Sequence, residues 1–151
     1  MENCLFNGTI VESVRVTNNS QVSVTSCKIE GGLRGVYSGS GSYLQGSSLV
    51  IDGTEEDAVC LMSEGRVSIH GSHLFSGSGY SVRCDAYFHD EIHQDLTNNY
   101  WGTTESDSIA AKIRDGNDDP SIHSIVDFLP FSDIPLPAKA SSLGSAKAMW
   151  R

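Results

Sequence analysis

Ser13-Val-Arg-Val16, Gly35-Val-Tyr-Ser38, Ala58-Val-Cys-Leu61 and Ser81-Val-Arg-Cys84 are four versions of one short segment, and their valines are separated by 22, 23 and 23 residues. The residues two places on, Val16, Ser38, Leu61 and Cys84, keep the same steps. Alternation of inward and outward positions is the signature of a half-buried strand. A fixed period of twenty-odd residues is the signature of a solenoid, because a short unit buries its apolar face only by stacking on its neighbours.

A coil must return through every side of its cross-section, so further columns are expected at the same period. Val24, Leu44, Ile69 and Leu96 read as a second stack, and Phe6, Ile29, Leu49, Leu74 and Trp101 as a third. Two residues before the members of the third stack, on the same inward face, come Cys4, Cys27, Ser47, Ser72 and Asn99. Turn residues cluster between these segments, at Gly31-Gly32, from Ser38 to Gly41 and from Ser76 to Gly79. Three short strands per turn, with each turn paired to the next at about 4.8 Å, predict an all-β parallel β-helix of about four to five rungs.

The repeat pattern resembles the right-handed parallel β-helix superfamily, the pectate-lyase-like folds with PbH1-type repeats, over roughly residues 1–102. The expected handedness comes from that resemblance. Beyond it, Asn98-Asn-Tyr-Trp-Gly102, Asp115-Gly-Asn-Asp-Asp-Pro120 and Val126-Asp-Phe-Leu-Pro-Phe131 resemble the closing segment of many bacterial β-helix proteins. Thr104 and Asp107 read as a capping-box-like start, with Ile109, Ala110 and Ile113 as an apolar helical face and Gly116 as its stop. A capping helix over about 104–115 is therefore expected to lie on the last rung, above Trp101. Residues 1–131 are expected to form a single domain. Residues 132–151 are expected to be an extended tail, anchored on the coil or on a neighbouring subunit by Met149 and Trp150.

Ten basic against nineteen acidic residues give a net charge of −9, which argues against nucleic acid or an anionic membrane as a partner. No stretch of 18 apolar residues exists to span a bilayer, and Met1-Glu-Asn-Cys4 does not read as a signal peptide, although members of the resembled superfamily are often secreted. The compartment stays open. Cys4 and Cys27 fall one rung apart in one inward column, within reach of a disulfide, and the reading preferred from sequence is a pair of stacked free thiols. Cys60 is expected outward and Cys84 inward, which excludes a bridge between them. The chain enters the pattern inside a repeat at Asn3-Cys4-Leu-Phe6, so its first rung is expected to lack a cap; either the chain is a piece of a longer protein or, as expected here, another copy covers that end in a homo-oligomer.

Function is less legible than architecture. Arg15, Tyr37, Cys60 and Arg83 form one outward ladder on the first-strand sheet, preceded in each rung by Glu12, Arg34, Asp57 and Tyr80. Arg15, Arg34, Tyr37, Tyr80 and Arg83 are the candidate contacts for a polysaccharide, through charged hydrogen bonds and ring stacking; the alternative is an ordinary solvated sheet face. Glu55-Glu-Asp-Ala-Val-Cys-Leu61 resembles the paired-acid strand of polygalacturonase-type glycosidases, which implies Glu56 and Asp57 as an acid/base pair. The neighbouring rungs read Leu33-Arg-Gly-Val and Gly79-Tyr-Ser-Val where that family carries Asn-Thr-Asp and Gly-His-Gly, so no reaction is assigned.

Two metal candidates stand apart from this face. His89 and His93 would share one ion such as zinc if Asp85 to His93 made a helical turn; otherwise the segment is a loop packed through Tyr87, Phe88 and Ile92. Asp115, Asn117, Asp118 and Asp119 suit calcium by donor type, or an Asx-type turn ahead of Pro120. No other cofactor is expected. The residues thus favour a non-catalytic β-helix module binding carbohydrate or protein along its first-strand sheet. A polysaccharide hydrolase or lyase and a purely structural assembly protein are the alternatives.

Overall fold

The computed structural model describes residues 1–8 and 11–136; Met149 and Trp150, the expected anchors of the tail, lie outside the described residues. The first turn carries β1 (Leu5–Asn7), β2 (Glu12–Val16) and β3 (Gln21–Thr25), and the second β4 (Lys28–Glu30), β5 (Arg34–Ser38) and β6 (Tyr43–Ser47). The third carries β7 (Val50–Thr54), β8 (Val59–Met62) and β9 (Arg66–His70), and the fourth β10 (His73–Ser76), β11 (Val82–Asp85) and β12 (Ile92–Asp95). A short helix α1 (Ser106–Ala110) follows, then β13 (Ile113–Arg114) and β14 (Ser124–Asp127). Every strand pairing is parallel, in three sheets: β1-β4-β7-β10 (sheet 1), β2-β5-β8-β11-β13 (sheet 2) and β3-β6-β9-β12-β14 (sheet 3). The chain is an all-β solenoid of about four turns.

The valine column holds in register. Val14 pairs with Val36, Val36 with Val59 and Val59 with Val82, and Ile113 extends the column below Val82. Ile113 is therefore a strand residue, not part of a helical face. The helix expected over about 104–115 is confined to Ser106–Ala110, with Glu105 at its N-cap and no side chain capping it. The reason is register: a strand at Ile113–Arg114 pairs sheet 2 once more and buries Ile113, which a continuing helix would pull off the sheet. Ile109 alone buries the helix face, and Trp101 packs edge-on against Phe128 at 6.3 Å.

Two columns differ from the expected ones by one strand step. Leu44 pairs with Val22 and Val67, and the partner of Val24 and Ile69 is Gly46. A Cβ there would lie 2.8 Å from Leu49 Cδ1, so the glycine yields space to its larger neighbours. Ile51, not Leu49, pairs with Ile29 and Leu74. Leu49 takes the corner position between Cys27 and Ser72, while Ser47 pairs with Thr25 and His70 on sheet 3.

That corner is a polar ladder. Cys4 N–H donates to Cys27 Sγ at 3.3 Å, Leu49 N–H to Ser72 Oγ at 2.9 Å, and Ser72 N–H to Asn99 Oδ1 at 2.9 Å. Each side chain satisfies a backbone donor in the turn before, where the chain bends and the strand ladder lapses.

Between the third and fourth turns the solenoid opens. On sheet 3 β12 meets β9 in register at one position only, Asp95 with Ser68, although β12 pairs with β14 along its whole length. The buried Gln94 amide fills the gap. Its Oε1 accepts Val67 N–H at 2.9 Å, and its Nε2 donates to Ser124 Oγ at 2.9 Å and Gly65 O at 3.3 Å. The insertion responsible is the lengthened turn between β11 and β12.

Candidate functional site

The ladder expected on sheet 2 is present and longer than anticipated: Arg15, Tyr37, Cys60, Arg83 and Arg114 stand in register. Its charges are already matched. Arg15 Nη1 lies 3.3 Å from Glu12 and its guanidinium 4.4 Å above the Tyr37 ring. Arg34 reaches Glu12 at 3.1 Å and Glu56 at 2.7 Å. Arg83 binds Asp85 at 2.8 Å and stands 3.9 Å from Asp57, and Arg114 shares Asp85 at 3.2 Å. Four guanidinium groups thus meet four carboxylates, Glu12, Glu56, Asp57 and Asp85, so the face presents little free charge to a polyanion.

Cys60 belongs to the outward column, yet it is only 2% exposed beneath these neighbours. Burial pushes its thiol up to about 12, only partly opposed by Arg34, so it is an unreactive thiol.

Asp57 is the unusual carboxyl of this face. It is 1% exposed, its Oδ1 accepts Tyr80 N–H at 3.0 Å, and its Oδ2 has no hydrogen-bond partner. Tyr80 enters the site through its backbone. Burial raises the proton affinity of Asp57, with the Tyr80 N–H and Arg83 pulling the other way. The folded state therefore keeps a proton that the unfolded chain has lost, so the contribution of Asp57 to stability falls as pH rises from the ordinary carboxylate range through its higher folded value. Urea midpoints between about pH 4 and pH 7 should decline less in Asp57→Asn than in wild type. Parallel pH profiles for the two proteins would contradict the assignment.

The concave site lies elsewhere, on the outer face of sheet 3. A groove of about 670 Å³ is lined by Gln21, Tyr43, Arg66, Ser68, Phe88, His93 and Asp95, with Val67 and Gln94 at its floor where β9 and β12 part. Gln21, Tyr43 and Arg66 are one outward ladder in register. The lengthened turn forms the wall, fastened by His123 Nδ1 at 2.7 Å from Phe88 O, and Phe88 stacks beneath the Arg66 guanidinium at 5.3 Å. Arg66 is the one arginine among the described residues without a carboxylate partner. A cation held on an aromatic plate, beside Tyr43 and the amide of Gln21, can engage planar polar or anionic groups.

His89 and His93 do not share a helical turn: His89 is in the bend of the loop, and His93 is in β12. His93 Nδ1 lies 3.0 Å from Asp127 and Nε2 3.3 Å from Glu91; the Asp127 carboxylate first, then Glu91, holds its proton affinity above the usual imidazole range. Asp115, which is buried, accepts Asn117 N–H at 2.8 Å and Val126 N–H at 2.7 Å. Asp118 accepts Asp115 N–H at 3.2 Å, and Asp119 accepts from the backbone and hydroxyl of Ser121 at 3.0 and 2.7 Å. The acidic knot is thus an Asx-type turn pinned to β14. Among the described residues no three His, Cys, Asp or Glu side chains converge as a metal set.

Sequence reasoning placed the sheet 2 ladder but missed Tyr43, Arg66 and the groove. The legible signal was the enlarged turn at Asp85 to His93, together with the 23-residue step from Tyr43 to Arg66. Compared with protein-family models, curated proteins and solved structures, the chain matches none.

Proposed function

We propose that the protein is a non-catalytic module of the right-handed, pectate-lyase-like type of β-helix, and that it binds carbohydrate in the groove on sheet 3. The observation carrying this reading is the co-location in one cleft of about 670 Å³ of an unpaired guanidinium stacked on Phe88, the Tyr43 ring, and the Gln21 and Ser68 side chains. Ring faces for pyranose stacking and planar donors for hydroxyl and carboxylate oxygens are what a sugar requires. The sheet 2 ladder offers the same residue types, but its arginines are consumed by their own carboxylates.

Glycan-array screening followed by calorimetry tests the proposal. Tyr43→Ala, Phe88→Ala and Arg66→Ala should each weaken binding of the best saccharide about 10-fold or more, while Arg15→Ala and Tyr37→Ala leave it unchanged. Loss with the sheet 2 variants alone, or no saccharide bound at all, would overturn it. Self-association through the first turn, where Leu5 and Val11 are exposed, belongs to the same proposal and is read by light scattering at micromolar concentration.

Asp57 favours a second reading, a polysaccharide hydrolase or lyase, because a buried carboxyl with raised proton affinity is the property of a general acid. Release of reducing ends or unsaturated uronates from acidic polysaccharides, abolished in Asp57→Asn, would select that reading over the first.

A further inference from the structure

The four described cysteines are in different situations. Cys60 lies beneath the arginines of sheet 2, and Cys84 is buried beside Ser124 Oγ at 2.9 Å; burial raises their thiols to about 12 and about 11. Neither has another cysteine beside it. Cys4 and Cys27 occupy equivalent corners of the first and second turns, immediately before β1 and β4, which pair with Leu5 opposite Lys28. Lys28 N–H donates to Cys4 O at 2.8 Å and Cys4 N–H to Cys27 Sγ at 3.3 Å. Each thiol donates to the carbonyl two residues before it, Cys4 to Glu2 and Cys27 to Thr25, both at 3.3 Å, so the two side chains lean the same way. Burial raises the proton affinity of Cys27, and Cys4 is close enough to act on that thiol as well. Stacked turns stand about 4.8 Å apart, inside the Cα range of roughly 4.4–6.8 Å that a disulfide spans. Cys4 is half-buried and open to a reagent, whereas Cys27 is 2% exposed.

We infer that Cys4 and Cys27 are a redox-active pair that closes to a disulfide and staples the first turn of the solenoid to the second. The reaction is thiol–disulfide exchange with a small-molecule disulfide. The Cys4 thiolate attacks one sulfur of the reagent, forming a mixed disulfide and releasing one thiolate. The Cys27 thiolate then attacks Cys4 Sγ, forming the intramolecular bond and releasing the second thiolate. The protein gives up two protons and two electrons, and the reagent leaves as two thiols. The element gaining most is β1, three residues paired on one side only, which the bond would fix to β4.

Incubation of the full chain with oxidised glutathione, with removal of the reagent before analysis, tests this. The intact mass should fall by about 2 Da, and two of the four thiols should disappear from titration in denaturant. Digestion with trypsin should join the peptide Met1–Arg15 to Val16–Lys28. The thermal midpoint should rise by about 5–10 °C, reversibly on reduction. Cys4→Ser and Cys27→Ser should each abolish the mass change, and Cys60→Ser should preserve it. Four thiols still titrating, stable glutathionylation without closure, or a link through Cys60, Cys84 or a second chain would overturn the inference, and the wild-type mass measurement decides it even if a variant folds poorly.

Discussion

Asn99→Ala should destabilise the protein by about 3–5 kcal/mol, read as a fall in the urea midpoint at constant slope. Asn99 is 0% exposed and its side chain makes three hydrogen bonds: Oδ1 accepts Ser72 N–H at 2.9 Å, and Nδ2 donates to Ile69 O at 2.7 Å and Leu96 O at 2.8 Å. Truncation removes one acceptor and two donors at once and leaves three backbone groups without their partner. Each orphaned buried group costs about 1–3 kcal/mol, partly relieved by local relaxation. Asn99→Asp is the sharper variant, because a carboxylate still accepts from Ser72 but faces two carbonyl oxygens with no proton to give. It should be at least as damaging near neutral pH and should recover part of the loss when acidified. A cost below about 1 kcal/mol for Asn99→Ala would show that the corner ladder is dispensable.

Ile51→Ala should cost about 3–4 kcal/mol, from lost transfer free energy plus the cavity left behind. Ile51 is fully buried, stacked between Ile29 above and Leu74 below, and its Cγ2 lies 2.5 Å from where a Cβ on Gly35 would stand. In a solenoid the stability of each turn includes its interfaces with the turns on both sides, so a central deletion weakens two interfaces together. Val22 sits in the first turn with a neighbour on one side only and is half-buried, so Val22→Ala should cost about 1 kcal/mol. Equal losses at the two positions would contradict a stacked core and favour independent local packing.

The period of the valine column was enough to predict turn number, parallel pairing and the inward and outward faces of sheet 2, since stacking turns must superpose residues one period apart. Periodicity failed where the corners carry slack. Choosing Ile51 over Leu49, or Gly46 over Leu44, requires knowing how many residues each corner consumes, and in both cases an aliphatic residue two positions earlier fits the pattern. Ile109 and Ile113 have helical spacing, which makes the expected helix longer than Ser106–Ala110, while the competing strand pairing at Ile113 is visible only once β11 is in place.

The repeat, the core-facing valines and the order of the outward ladder are written into the order of residues, because they follow from alternation along a strand and superposition between turns. Which ladder is free to bind depends instead on contacts between turns. Whether an arginine is spent on a neighbour or left unpaired depends on side chains from adjacent turns, and the groove exists because an insertion after β11 parts β12 from β9 and brings Phe88 against Arg66, residues 22 positions apart.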